Sequence, residues 1–118
     1  MGTEPGSPAA PLQLQASAGG FSLRGELTLA QVGPWRARGR RLLAGAAGSG
    51  PLHMELQGVT RVDSAGLALL VDWLAWAHSA GRVLAFEALP PALLALARLS
   101  DLEDLLAAPP IAAQAPAG

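Results

Sequence analysis

Residues 12–16 alternate leucine with glutamine, the two-residue period of a short edge strand. Gly19-Gly20 reads as a turn. Phe21 and Leu23 then share a face as far as Gly25-Glu26, which predicts a second strand paired with the first as a hairpin. Thr28 is placed to cap the next element. The spacing predicts a helix over 34–47, with Trp35, Leu42 and Ala46 on its inward stripe and Pro34 in its first turn. Gly39 weakens that helix by about 1 kcal/mol relative to alanine. Gly48-Ser49-Gly50-Pro51 ends it. Residues 52–59 alternate again, as a central strand does, and Thr60-Arg61-Val62 leads into Asp63-Ser64. A helical pattern covers 65–80, and Gly81 suits the position just past its end. Residues 82–87 hold Val83, Leu84, Ala85 and Phe86, a short buried strand. Pro90-Pro91 opens a third helix to about Leu99, and 102–106 form a last short element. The order β-β-α-β-α-β-α predicts an α/β domain: a mixed sheet of about four strands with helices packed on it.

The helix after Ser64 carries more apolar residues than one face needs. With Leu67 at 0° and roughly 100° per residue, Leu67, Leu70, Val71, Leu74 and His78 cluster within about 60° of one direction. That is the stripe expected against the sheet. Leu69, Trp73, Trp76 and Ala80 fall roughly 180–240° away, where a surface helix is ordinarily polar. Either a neighbouring element covers this second stripe or it is a docking face for another protein. Tryptophan suits the second use, since it buries a large rigid area and keeps a polar N–H.

Ser64 stands where an N-cap belongs, and its hydroxyl can accept from the backbone two or three residues on. Asp63 adds negative charge beside the positive end of the helix. A capped helix start accounts for Ser64 without further function. A phosphate on Ser64 would sit on the free N–H groups there, bring close to two negative charges and so change how a partner binds.

Composition narrows the range of functions. The chain has 118 residues, enough for one domain with one core. Hydrophobic residues are 51% and charged residues 14%, which leaves apolar surface over for a partner. The net charge is −1, so no global basic field points to nucleic acid. Without cysteine there is no disulfide, thiol nucleophile or thiolate metal site. Residues 1–11, rich in Pro, Gly, Ser and Ala, are expected to be a disordered arm rather than a secretory signal, and 107–118 a disordered tail. The folded part is expected over 12–106. The most apolar helical stretch, 67–77, is too short to span a bilayer and is interrupted by Asp72.

Catalytic chemistry is missing. His53 and His78 are the only histidines and have no paired ligand spacing, so both read as structural, and no metal site is expected. Ser64 has no evident base and the glycines around it do not form a nucleophile elbow. There is no Walker-type loop. Asp101, Glu103 and Asp104 read as a solvated acidic turn or cap. Arg36, Arg38, Arg40 and Arg41 point several ways around the first helix. They read as a solvated face, with an acidic partner or anionic lipid headgroups as the other use.

The run Phe21-Ser22-Leu23-Arg24-Gly25-Glu26-Leu27, followed by Leu56-Gln57-Gly58-Val59-Thr60-Arg61-Val62-Asp63-Ser64-Ala65-Gly66-Leu67-Ala68-Leu69-Leu70, resembles the STAS domain. Its hallmark is Asp-Ser/Thr-small-Gly-Leu at the start of the second helix. The resemblance covers roughly 12–106 and implies a STAS-type fold. Within the family the likeness is to the MlaB-like branch, small cytoplasmic subunits of phospholipid-transport ABC complexes. It extends to Leu96-Ala97-Arg98-Leu99-Ser100-Asp101-Leu102. That resemblance implies a non-catalytic accessory protein without cofactor, held at the inner membrane by an ABC ATPase subunit. It implies support of lipid transport and outer-membrane asymmetry. The family's other branch implies an anti-sigma factor antagonist switched by phosphorylation at Ser64, although Ala65 replaces the second hydroxyl residue usual there. The expected partner-binding residues are Asp63, Ser64, Ala65, Gly66, Leu69, Trp73 and Trp76.

Overall fold

A computed structural model describes residues 10–17, 20–48 and 50–107. Of the expected arm over 1–11, residues 1–9 lie outside the described residues, as do residues 108–118 of the expected tail over 107–118. Ala10 and Pro11, at the end of that arm, lie against the sheet: the Ala10 carbonyl accepts from the Glu26 N–H at 3.1 Å.

The elements run β1 (Gln13–Ser17), β2 (Gly20–Leu27), α1 (Leu29–Val32), α2 (Trp35–Ala44), β3 (Leu52–Val62), α3 (Ser64–Ser79), β4 (Leu84–Glu87), α4 (Pro91–Leu99) and α5 (Glu103–Ala107). They form a four-stranded sheet in the order β1-β2-β3-β4. The hairpin β1–β2 is antiparallel, and β2–β3 and β3–β4 are parallel. Parallel neighbours need a crossover, which α1–α2 and α3 supply. The mixed α/β sheet expected from the sequence is therefore present. β3 is longer than the alternation over 52–59 suggests, because two register shifts against β2 carry the pairing on to Leu27–Val62. Nothing in the hydrophobic pattern marks α1.

Alternation decides the two faces of the sheet. Leu14, Phe21, Leu23, Leu27, Met54, Leu56 and Phe86 point to one side and are buried there with the helices. The other face is polar. Ser22 Oγ donates to Glu55 Oε1 at 3.1 Å, and His53 Nδ1 lies 2.9 Å from Glu87 Oε2. His53 thus serves a strand-to-strand contact.

The helix layer corrects three expectations about orientation. In α2 it is Leu43 that is buried with Trp35, while Leu42 is exposed. In α3 the buried set is Gly66, Leu67, Leu69, Leu70, Trp73 and Ala77. That arc is centred roughly 80° away from the predicted stripe, and His78 lies exposed at its margin. Trp73 is not on a free face: it has no exposed surface at all. Its indole N–H donates to the Arg36 carbonyl of α2 at 3.2 Å. The ring lies against Gly39, where any Cβ would collide with it. Gly39 costs α2 helix propensity and in return lets two helices close over a tryptophan. Trp76, the other tryptophan of the stripe, is half-buried against the core.

On the outer side of this contact Asp72 fastens α3 to α2. Arg40 Nη2 and Nε reach its carboxylate at 2.6 and 3.1 Å, and Arg36 Nε reaches it at 3.2 Å. Two of the four clustered arginines are thus ion-paired within the chain, at its surface. Arg38 stacks over the Trp35 ring, 4.5 Å from its centroid.

Candidate functional site

The site builds up from the end of β3. Asp63 leaves the strand in extended geometry and ends the pairing, and the next residue begins α3. The helix cap is Asp63, not Ser64. One carboxylate oxygen, Oδ1, accepts from the Gly66 N–H at 3.0 Å, the span of an Asp N-cap. The other, Oδ2, accepts from the Leu29 N–H at 3.0 Å, at the first residue of α1. Thr28 precedes α1 but makes no side-chain cap bond. A single carboxylate therefore caps two helices that are 34 residues apart in sequence. A serine at 63 would offer one oxygen position where the carboxylate offers two.

Electrostatics follow from this geometry. Partial burial works against the charge of Asp63. Hydrogen bonds from the Leu29, Gly66 and Ala65 backbones, with the charge of Arg61 nearby, outweigh it and hold the carboxyl below its ordinary range.

Gly66 fixes how closely α3 approaches the sheet. A Cβ there would run into the Leu27 carbonyl and stand 2.6 Å from Leu27 Cγ. The Leu27 carbonyl also accepts from the Asp63 N–H at 3.2 Å. The Asp-Ser-Ala-Gly turn is thus locked to the end of β2 on one side and to α1 on the other.

Ser64 is the first residue of α3 and is exposed. Ala65 is half-buried beside it. From here a groove of about 630 Å³ runs between α1 and α3, lined mainly by Val32, Ala65, Ala68, Leu69, Val71 and Ala75. Arg36 and Asp72 stand at its far part. Leu29 is 74% exposed at the capped start of α1. Of the residues expected to bind a partner, Ala65 and Leu69 line the groove, and Asp63 and Ser64 stand just before them at the start of α3. Leu69 lines it with little exposed surface, and Gly66 and Trp73 are interior. Val32, Ala68 and Ala75 also line the groove, and the sequence pattern does not mark them. The four-residue helix that carries Leu29 and Val32 is too short for periodicity to mark, and alanines carry no apolar signal of their own.

Among the described residues no group of three or more acidic or histidine side chains is arranged to hold a metal ion. No helix among them is long and apolar enough to cross a membrane.

A mixed sheet with helices on its apolar face, and a helix start of Asp-Ser-small-Gly type locked against it, defines a STAS-type α/β domain. The chain belongs to the family described as Mlab, STAS domain, whose model matches residues 11–107. The search of curated proteins returned no match.

Proposed function

We propose that this chain is a non-catalytic accessory subunit of an ABC-type phospholipid transport system acting between the inner and outer membranes. It binds and stabilises the ATPase subunit, and so supports outer-membrane lipid asymmetry. It works in the cytoplasm and sits at the inner membrane through that complex. The observation that carries this reading is the apolar groove beside Asp63, in a chain of the Mlab-type STAS family. Both walls of the groove start at the same carboxylate, so its shape is set before a partner arrives. A preformed groove spares the partner much of the ordering cost of binding. The alanines of α3 offer apolar contact close to the backbone, and Ser64 begins the same helix beside Ala65.

The test is co-expression of the tagged chain with the ATPase subunit of a lipid-transport ABC system from the same genome. The two are expected to purify together. Ala68→Arg fills the groove with a charge at an exposed position and is expected to abolish association while the circular dichroism spectrum stays unchanged. A chain that purifies alone, or an Ala68→Arg variant that still binds fully, would refute the proposal.

A second reading rests on Ser64. Because Asp63 does the capping, the exposed Ser64 hydroxyl is free for modification. In this reading the chain is an anti-sigma factor antagonist. A phosphate on Ser64 would compete with Asp63 for the N–H groups of the first turn and repel its charge. Intact mass of the protein isolated from cells decides: absence of a phosphorylated fraction in every growth phase removes this alternative.

A further inference from the structure

β1 forms one edge of the sheet, and among the described residues no strand pairs with its outer side. Natural edge strands are commonly guarded by charge, by proline or by a covering element. Gln13-Leu14-Gln15-Ala16-Ser17 contains no charge and no proline. The helices do not close over it either. A groove of about 470 Å³ follows the strand, walled by Ala30, Pro34, Trp35 and Arg38.

The direction of the backbone groups is set by two observations. Ser17 and Gly20 are the closing pair of the hairpin, with two residues between them. Such a pair is hydrogen-bonded, so Ser17, Gln15 and Gln13 turn their N–H and C=O toward β2. Alternation turns those of Leu14 and Ala16 outward. The same alternation turns the Leu12 N–H outward, and it is met there by Gln31 Oε1 of α1 at 3.3 Å. The side chain of Gln31 thus closes one end of the edge, and among the described residues no strand pairs with the stretch from Leu14 to Ala16 on that side.

We propose that this edge is a contact between two copies of the chain, formed by β1 pairing antiparallel with β1 of the second copy about a two-fold axis at Gln15. The register satisfies both copies at once, as an isologous contact requires. Leu14 and Ala16 of one copy face Ala16 and Leu14 of the other as hydrogen-bonded pairs, so both outward-turned residues are paired. Gln15 meets Gln15 as the close, non-hydrogen-bonded pair on the polar face, where the two amides can bond to each other. Gln13 meets Ser17, and no like charges oppose each other along the ladder. Ala16 points to the helix side of the sheet opposite buried Phe21 yet is itself exposed, and the second strand covers it. The result is a continuous eight-stranded sheet. The contact lies at β1 and does not depend on the groove between α1 and α3. A five-residue ladder is smaller than a standard interface, so the contact is a weak and reversible one.

The chain has no cysteine, so a single introduced cysteine reports on register without interference. In Gln15→Cys the two Cβ atoms stand about 5 Å apart across the axis, and mild oxidation is expected to give a disulfide-linked dimer. In Gln13→Cys the two cysteines are separated by about 13 Å along the strands, and the chain is expected to stay monomeric on the gel. Sedimentation equilibrium of the unmodified full chain is expected to show a monomer–dimer equilibrium. Gln15→Lys, which sets like charges across the axis at an exposed position, is expected to weaken it at least tenfold with an unchanged circular dichroism spectrum. Equal cross-linking at positions 13 and 15, or a monomer throughout the concentration series, overturns the proposal.

Discussion

On the inner side of α3, Trp73 is sealed between Gly39, the Arg36 carbonyl and the core. On its outer side, Ala65, Ala68 and Ala75 leave an open groove against α1. The two sides use opposite means. The first fills space with the largest side chain available, and that fill holds α2 on α3. The second keeps side chains small, so that another surface can come close. The difference teaches that a tryptophan on a helix is not by itself a sign of docking. What matters is whether the facing element has made room for it, and here α2 has done so with a glycine.

The largest effect expected from this contrast is at Trp73. Replacing it by alanine removes a fully buried ring and leaves a cavity, which costs about 3–5 kcal/mol. Urea denaturation of Trp73→Ala should show it as a lower midpoint. A loss under about 1 kcal/mol would mean that the ring is not in the core.

Gly39 sharpens the same point through the sign of its effect. At an exposed helix position Gly→Ala stabilises by about 1 kcal/mol. Here the added methyl meets the Trp73 indole, and overpacking of this kind costs about 1–3 kcal/mol. Gly39→Ala is expected to lower the thermal midpoint. A rise would show that α2 can move away from the ring freely.

Asp63 joins the two sides, because its cap sets where both α1 and α3 begin. Asp63→Ala removes acceptors for two helix starts and is expected to cost about 1–2 kcal/mol. Asn keeps one acceptor oxygen and should recover only part of this, since its amide group cannot accept from the Leu29 N–H. The pH dependence has a definite sign. The folded-state carboxyl is held below its ordinary value of 3.8, so its contribution is present above about pH 4. It is lost as pH falls through the lower folded value. Denaturation of both proteins from pH 7 to 3 should show the difference between them shrinking only at the acid end. A difference that stays constant to pH 3 would exclude the carboxylate charge as the cause.

The sheet was readable in the sequence because its alternation has few rivals: Leu12, Leu14, Phe21, Leu23, Met54 and Leu56 mark their strands by period alone. The orientation of α3 was not readable, because Leu67, Leu69, Leu70, Val71, Trp73 and Leu74 spread apolar groups over roughly 200° of its circumference, more than one buried face needs. Only a contact from elsewhere chooses between the stripes, and Gly39 makes that choice. The neighbouring Leu42 and Leu43 posed the same ambiguity in α2. At the candidate site the Asp-Ser-Ala-Gly turn could be found from sequence, but the residue that caps the helix could not. Asp63 and Ser64 are both good caps, and the decision falls to the Leu29 N–H, which arrives from a helix too short to show a pattern.

The smallest effect tests that decision. If Asp63 caps α3, Ser64 is merely the first residue of the helix, exposed and without a structural duty. Ser64→Ala should then change stability by less than about 0.5 kcal/mol, as an ordinary surface substitution does. Alanine also has the better helix propensity, which leans the change slightly toward stabilisation. A cost of 1 kcal/mol or more would identify Ser64 as the cap after all and leave Asp63 only its bond to α1. Ser64→Glu adds a negative charge at the positive end of the helix, which favours the fold by a few tenths of a kcal/mol. The same charge lies next to Asp63, which opposes it. The sum should stay near zero in stability, so any loss of partner binding in Ser64→Glu would come from the charge at the start of α3 and not from an unfolded helix.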